Sequence, residues 1–219
     1  MINPWDWQDS SFSVIPCKDR LDWLKHRRNY IGASDAAAVL GLSPWMSNTQ
    51  LFDEKTSKEP PVESEPNADV LRGIRSEGHI RELYAIESGD EVIDGAGMLL
   101  VSNEYQWMSA TLDGICRNSK GENYILEIKS SRYNGKWSDG SRLPDNYFVQ
   151  VLHQLAVTKW PKAVLKARLL CANGNVIERT YTMERKDFIV QIENLAMVEK
   201  KFWDAVKSGV RPNTMLPEL

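Results

Sequence analysis

The sequence predicts an α/β domain. Three observations carry that expectation. Short runs of alternating apolar and polar residues fill the centre of the chain, and stretches with helical spacing flank them on both sides. No repeat, low-complexity tract or linker divides the 219 residues. A chain of this length buries roughly 70% of its unfolded surface, enough for one substantial core. The expected layout is a single domain over 1–219, with a helical N-terminal part over 1–90, a β-rich core over 91–183 and a closing helix over 185–207.

Taken in order, Asp19 to Arg28 has the spacing of a helix with Leu21 and Leu24 on its apolar side. Ser34 is placed to cap a small-residue helix, Asp35 to Leu40, which Gly41 stops. Ser43-Pro44 opens a loop into a helix near Asn48 to Thr56. Ser57 to Pro66 holds three prolines and several acids and reads as a flexible surface loop. Asn67 to Ser88 reads as a long helix, since Val70, Leu71, Ile74, Ile80, Leu83, Tyr84 and Ile86 keep near-helical spacing. Gly73 and Gly78 are the points at which it would break. Strands are expected over Glu91 to Val101, Trp107 to Arg117 and Tyr124 to Ser130, the last two joined as a hairpin by Asn118 to Asn123. Pro144 to Thr158 reads as a helix with Phe148, Leu152 and Leu155 on its buried side. Strands Ala163 to Cys171 and Val176 to Met183 bracket the turn Ala172 to Asn175, and a helix over Arg185 to Lys207 ends before Gly209.

Composition removes several classes. With 42% hydrophobic and 26% charged residues, wholesale disorder is excluded. Apolar runs such as Ala36 to Leu40 are far too short to span a bilayer. The N-terminus, acidic and carrying Trp5 and Trp7, is unlike a secretory signal. Three widely spaced cysteines make neither a disulfide framework nor a zinc set, so a reducing, cytosolic setting is expected. The net charge of -3 argues against a generally basic surface but leaves room for a local cationic pocket. His26, His79 and His153 form no i, i+4 pair, which speaks against a zinc hydrolase. No G-x-x-x-x-G-K-[ST] is present, which removes an ATP-driven motor. Cys116 reads as a buried strand cysteine rather than a nucleophile.

The chemistry concentrates around Leu112-Asp113-Gly114 and Leu126-Glu127-Ile128-Lys129. Side chains alternate along a strand, so Glu127 and Lys129 share a face while Leu126 and Ile128 point into the core. Asp113, on the preceding antiparallel strand, can reach that face. Paired carboxylates suit a hard cation such as magnesium or manganese, and an adjacent lysine can serve a water or a phosphoryl oxygen. The same residues would also make an ordinary cross-strand salt bridge. Glu77 is either a further carboxylate near the site or a solvated helix charge. Tyr147, Gln150 and Gln154, at i, i+3 and i+7, share a helix face that is either a surface stripe or a wall of the site. Arg27, with Ser34 at a helix N-terminus, outlines a phosphate pocket, or else a basic helix end followed by a simple cap.

Together, Arg27 with Ile31-Gly-Ala-Ser34, Gly73-Ile-Arg-Ser-Glu77, Thr111-Leu-Asp113-Gly, Glu127-Ile-Lys129 and Tyr147-Phe-Val-Gln150-Val occur in an order that resembles the phage-lambda-type, or YqaJ-like, recombination exonucleases. The resemblance runs from about Arg27 to Thr158. It implies a restriction-endonuclease-like PD-(D/E)XK core, a mixed central β-sheet flanked by helices. It implies magnesium-dependent digestion, with manganese substituting and two ions per site, of one strand of duplex DNA from a 5′ end. A ring-shaped homotrimer in the cytoplasm of a phage's host and a single-strand-annealing protein as partner are also implied. By the same resemblance Asp113, Glu127 and the Ile128 carbonyl hold metal with Glu77 close by, Lys129 serves the water, and Gln150 supports it. Arg27 and Ser34 would grip the 5′ phosphate, with Tyr147 on the DNA side and Arg132 or Arg142 completing the pocket. One departure is Leu112, where the superfamily name has proline. A structure- or site-specific endonuclease and a silent DNA-end-binding module remain the alternatives. The intact Asp113, Glu127 and Lys129 set speaks against the second, and a terminal-phosphate pocket against the first.

Overall fold

The computed structural model describes residues 10–63, 65–137 and 142–215. The expectations for Trp5 and Trp7, and for Ser64 within the proline-rich loop, lie outside those residues. The expected mixed α/β architecture is present, its strands divided between two mixed sheets flanked by helices. A four-stranded sheet has the order β1-β4-β5-β2, from β1 (Phe12–Pro16), β2 (Ile31–Gly32), β4 (Met98–Ser102) and β5 (Met108–Ala110). A five-stranded sheet has the order β3-β6-β7-β8-β9, from β3 (Glu91–Asp94), β6 (Gly114–Arg117), β7 (Asn123–Arg132), β8 (Lys162–Leu170) and β9 (Val176–Glu184).

The division corrects two expected strands. Glu91 to Val101 breaks between Asp94 and Met98, where Gly97 takes a φ of +78° that other residues rarely adopt. Trp107 to Arg117 breaks at Thr111 to Asp113. The two breaks meet: a Cβ on Gly95 would lie 2.2 Å from the Leu112 carbonyl oxygen, so only glycine allows this approach. Each strand therefore leaves one sheet and enters the other at the same place, and Asp113 sits at that crossing.

Helix α1 (Arg20–Arg27) forms where expected, with Asp19 capping the Asp22 N–H. Its expected apolar side is not buried; Leu21 is 39% exposed. The helix is anchored instead by the Trp23 indole N–H, which donates to Thr111 Oγ1 at 2.8 Å. Ser34 does not cap a helix. It lies inside a 3-10 turn, Ala33–Asp35, that runs into α2 (Ala36–Val39), and the carboxylate of Asp35 accepts the Gly32 N–H instead. Helix α3 (Asn48–Thr56) has a capping box from Ser47 and Gln50. Helix α4 (Ala68–Ser88) is unbroken at Gly73 and Gly78, and Asn67 caps its start. Only Ile80 and Tyr84 of its residues are buried.

Helix α5 (Asp145–Thr158) crosses from β7 to the parallel strand β8. It is packed by both sheets, by α2 and by α6 (Ile189–Ser208). Every residue from Val151 to Thr158 is buried, so the stripe holding Gln154 faces protein rather than solvent. The main core draws Phe12, Met98 and Leu100 from one sheet and Ile115, Ile125 and Leu165 from the other, with Leu152 and Leu155 between them. The three cysteines are free, and burial pushes the Cys116 thiol up to about 12, as suits an inert strand residue. No helix among the described residues is long and apolar enough to cross a membrane.

Candidate active site

Strand β7 supplies the centre of the site. Its Leu126 and Ile128 pack with Ile80 and Tyr84 of α4, which turns Glu127 and Lys129 to the opposite face, toward α5. Glu127 is only 1% exposed, so it is no solvated cross-strand charge. Its Oε1 accepts from Lys129 Nζ and from Gln150 Nε2, each at 2.6 Å, and its Oε2 accepts from Gln154 Nε2 at 2.5 Å. Asp113, expected on a strand, lies instead in the loop one residue before β6, and its Oδ2 accepts the Ile128 N–H at 2.8 Å. Ile128 thus enters the site through its amide. Arg81 steadies the same loop: Nε donates to the Asp113 carbonyl at 2.8 Å while Nη1 pairs with Asp94 at 2.9 Å.

Electrostatics tie these groups together. Burial, and then the Glu127 charge, push the Asp113 carboxyl well above the usual range. Burial works to lower the Lys129 pKa, but Glu127 and Asp113 outweigh it and hold the group as an ammonium. Glu77, half-buried, is raised chiefly by burial, with Lys129 and Arg81 pulling the other way. Glu77, Asp113, Glu127, Lys129 and Gln150 line one cavity of about 300 Å³, together with Arg27 and Ser34.

The Arg27 corner is more elaborate than its sequence. Arg27 Nη2 donates to Ser34 Oγ at 3.1 Å and also pairs with Asp35; its Nη1 lies 3.5 Å from Glu54. Lys55, fully buried, pairs with Asp35 at 2.9 Å. Burial opposes ionisation of Asp35, yet Arg27 and Lys55 prevail and bring its pKa to about 2. The other arginines lining this cavity are Arg20, stacked over Trp23, and Arg81. Neither expected partner is there. Arg132 is exposed on the neighbouring groove, 3.6 Å from Asp69, and Arg142 pairs with Asp145 at 2.5 Å. Tyr147 lines that groove too, stacked on Trp137, with the Lys129 ammonium 5.1 Å from its ring centre.

Asp35, Lys55, Arg81 and Gln154 are the contributors that sequence reasoning missed or left open. Arg81 carried a signal, standing one helical turn after Glu77. Lys55 carried none, because its partner is on another helix.

Among the described residues, no three Asp, Glu, His or Cys side chains converge into a ready metal cluster. The donor set is the Asp113 and Glu127 pair with Glu77 in the same cavity. These are hard oxygen donors without thiol or imidazole, and burial, followed by the Glu127 charge, disfavours ionisation of Asp113, which a bound cation would offset. A hard divalent cation fits that chemistry.

Residues 22–161 match the model of the YqaJ-like viral recombinase domain. The YqaJ protein of Bacillus subtilis (strain 168) is 34% identical over 197 residues, which is 88% of this chain but 58% of that protein. The chain therefore spans little more than half the length of this curated relative. Among solved structures, the alkaline exonuclease LHK-Exo from Laribacter hongkongensis shares the fold at a TM-score of 0.64 and 20% identity, over 86% of this chain and 93% of that one. LHK-Exo in complex with dAMP matches equally, at 21% identity. A phage-related exonuclease from Haemophilus somnus 129PT is similar at a TM-score of 0.53 and 13% identity, over 85% of this chain and 99% of that one. The chain thus shares its overall fold with these structures. The family match, well over half of the chain, takes in every side chain of the cavity from Arg27 to Gln150, and the chain belongs to the YqaJ-like viral recombinase domain family.

Proposed function

We propose that this chain is a metal-dependent exonuclease that digests one strand of linear duplex DNA from its 5′ end, in phage or prophage recombination. One observation carries the reading: the Asp113, Glu127 and Lys129 group and the Arg27 and Ser34 corner open into a single cavity. A reactive centre beside an anion-binding corner suits an enzyme that holds a strand terminus while cutting close to it. The names of the similar structures, exonucleases from two bacteria, agree with it.

In this reading Asp113, Glu127, Glu77 and the Ile128 carbonyl hold magnesium, or manganese in its place, as two ions. Bound there, the cations supply charge stabilisation at the phosphoryl oxygens and a more acidic water. The remaining work is the protein's own. Lys129, held protonated, donates toward the phosphoryl group. Gln150 and Gln154 fix the rotamer of Glu127 through both carboxylate oxygens. Arg27 and the Ser34 hydroxyl receive the terminal phosphate, and Asp35 with Lys55 holds Arg27 in place. A ring-shaped homotrimer around the DNA, a single-strand-annealing protein as partner and a place in the host cytoplasm complete the proposal.

The test is end chemistry. A terminal phosphate carries more charge than an internal diester, and a charge-assisted hydrogen bond contributes about 1.5–3 kcal/mol, or roughly 10- to 150-fold. With magnesium, linear duplex bearing 5′ phosphates should be digested faster than 5′-hydroxyl duplex by a factor in that range, and covalently closed circles should be spared. Arg27→Ala should slow phosphorylated ends and flatten the difference. Equal slowing of both substrates would make Arg27 a general contact, and cutting of closed circles would favour an endonuclease.

A further inference from the structure

Helix α4 has a different cavity on each side. Val70, Ile74 and Glu77 line the groove that leads to Lys129. Leu71, Arg72, Arg75 and His79 line another cavity, of about 570 Å³, which Arg168 of β8 and Val176 of β9 complete. Helical spacing makes the division, since 70, 74 and 77 share one face and 71, 75 and 79 share another. No residue between Ala68 and His79 is buried, so both faces are open.

The second cavity is cationic in a chain that is acidic overall. No carboxylate lines it. Among the described residues, the side chains of Arg75, His79 and Arg168 make no hydrogen bond or ion pair. Several guanidinium groups elsewhere are paired with carboxylates, Arg81 with Asp94, Arg142 with Asp145 and Arg211 with Asp53. Two unpaired arginines gathered in one cavity are arranged for an anion from outside. Arg72 and Ser130 line both this cavity and the active-site groove, so one polyanion can pass round α4 from either side. The floor is apolar, with Leu71 36% and Val176 44% exposed, and no Phe, Tyr or Trp ring lines it. A strand held there is gripped by its phosphates and not by base stacking.

We propose that this cavity binds the phosphates of the DNA strand that is not cut, α4 standing between it and the strand in the groove. The inference rests on the nuclease reading for which strand lies where, but the binding does not need cleavage. The experiment measures affinity of the full chain for 5′-hydroxyl duplex, blunt or with a 3′ single-stranded tail, by fluorescence anisotropy over a salt series without divalent metal. The tail should tighten binding by the wild-type protein. Each neutralised single-strand phosphate adds about 0.7 to the salt slope. The double variant Arg75→Ala/Arg168→Ala should therefore lose the advantage of the tail and about 1.4 of the slope. Arg75→Lys/Arg168→Lys should retain both, which separates charge from fold, and manganese binding should be unchanged in either variant. Equal slopes and an equal tail advantage in wild type and alanine variant would overturn the proposal and point to an acidic protein partner. A wild-type protein that bound tails through these arginines yet cut no DNA would sink the nuclease reading and leave this site standing.

Discussion

Both carboxylate oxygens of Glu127 accept hydrogen bonds from protein donors, and one of the three donors is an ammonium. Lys129→Ala therefore removes the charged donor but leaves Gln150 and Gln154 in place. Cleavage should fall by about 100-fold or more in single-turnover assays, because proton-transfer and charge-stabilising groups contribute on that scale. Stability should fall by only about 1.5–3 kcal/mol in denaturant unfolding, the size of one charged hydrogen bond. Near wild-type digestion would remove the lysine from the chemistry. Asp35 gives a second test at this scale. Its folded pKa of about 2 lies below the ordinary value of 3.8, so its stabilisation is present above about pH 4 and is lost as pH falls toward 2. The shift corresponds to about 2 kcal/mol, and Asp35→Asn should flatten acid unfolding in that window. An unchanged acid profile would mean that Arg27 and Lys55 do not hold the charge. The two residues differ in legibility. Glu127 and Lys129 were visible because a strand's period of two puts them on one face, whereas Asp35 looked like a first-turn helix acid whose partner, Lys55, is a separate helix away.

At the scale of elements, α5 is the part on which the site hangs. It carries Gln150 and Gln154, and between them His153, whose Nδ1 lies 2.8 Å from Glu199 Oε1 of α6 and whose Nε2 meets the Ser109 carbonyl at 3.0 Å. All of this pair is buried. Removing one partner of a buried pair typically costs about 3–5 kcal/mol. Glu199→Ala should therefore lower the unfolding free energy by that amount and should reduce cleavage at temperatures where the protein stays folded, as α5 loosens over Glu127. A loss below about 1 kcal/mol would show that α5 is positioned by its apolar packing alone. The helix itself was legible from Phe148, Leu152 and Leu155. Its burial was not, because Gln150, His153 and Gln154 look solvent-facing until their partners, brought in by other elements, are known. Strand β1 escaped for a similar reason: Phe-Ser-Val-Ile-Pro is short, and its pairing with β4 is entirely non-local. The strand-like stretch Glu91 to Val101 concealed the exchange of sheets at Gly95 and Gly97, where the signal is backbone freedom and not hydrophobicity.

At the scale of the whole molecule, the proposed ring and the site make separable demands. Asp113, Glu127, Lys129, Gln150 and Arg27 all come from one chain and meet in one cavity. A single copy thus brings the proposed reactive group together in its own cavity. What a closed ring would change is retention, since DNA threaded through it can leave only at an end or by ring opening. Apolar residues such as Ile86 of α4, 80% exposed, and Val190 and Met197 of α6, 65% and 59% exposed, offer surface for such contacts. Sedimentation at tens of micromolar should give three times the 25.0 kDa of the chain. Diluting below the assembly's dissociation constant should then leave the initial rate per chain nearly constant at saturating ends, because the site is intact in each copy. The length digested per binding event should instead collapse, because the open monomer dissociates between cuts. A monomer at every concentration would remove the ring. A per-chain rate that fell together with run length would mean that a neighbouring copy supplies something to the site that one chain lacks.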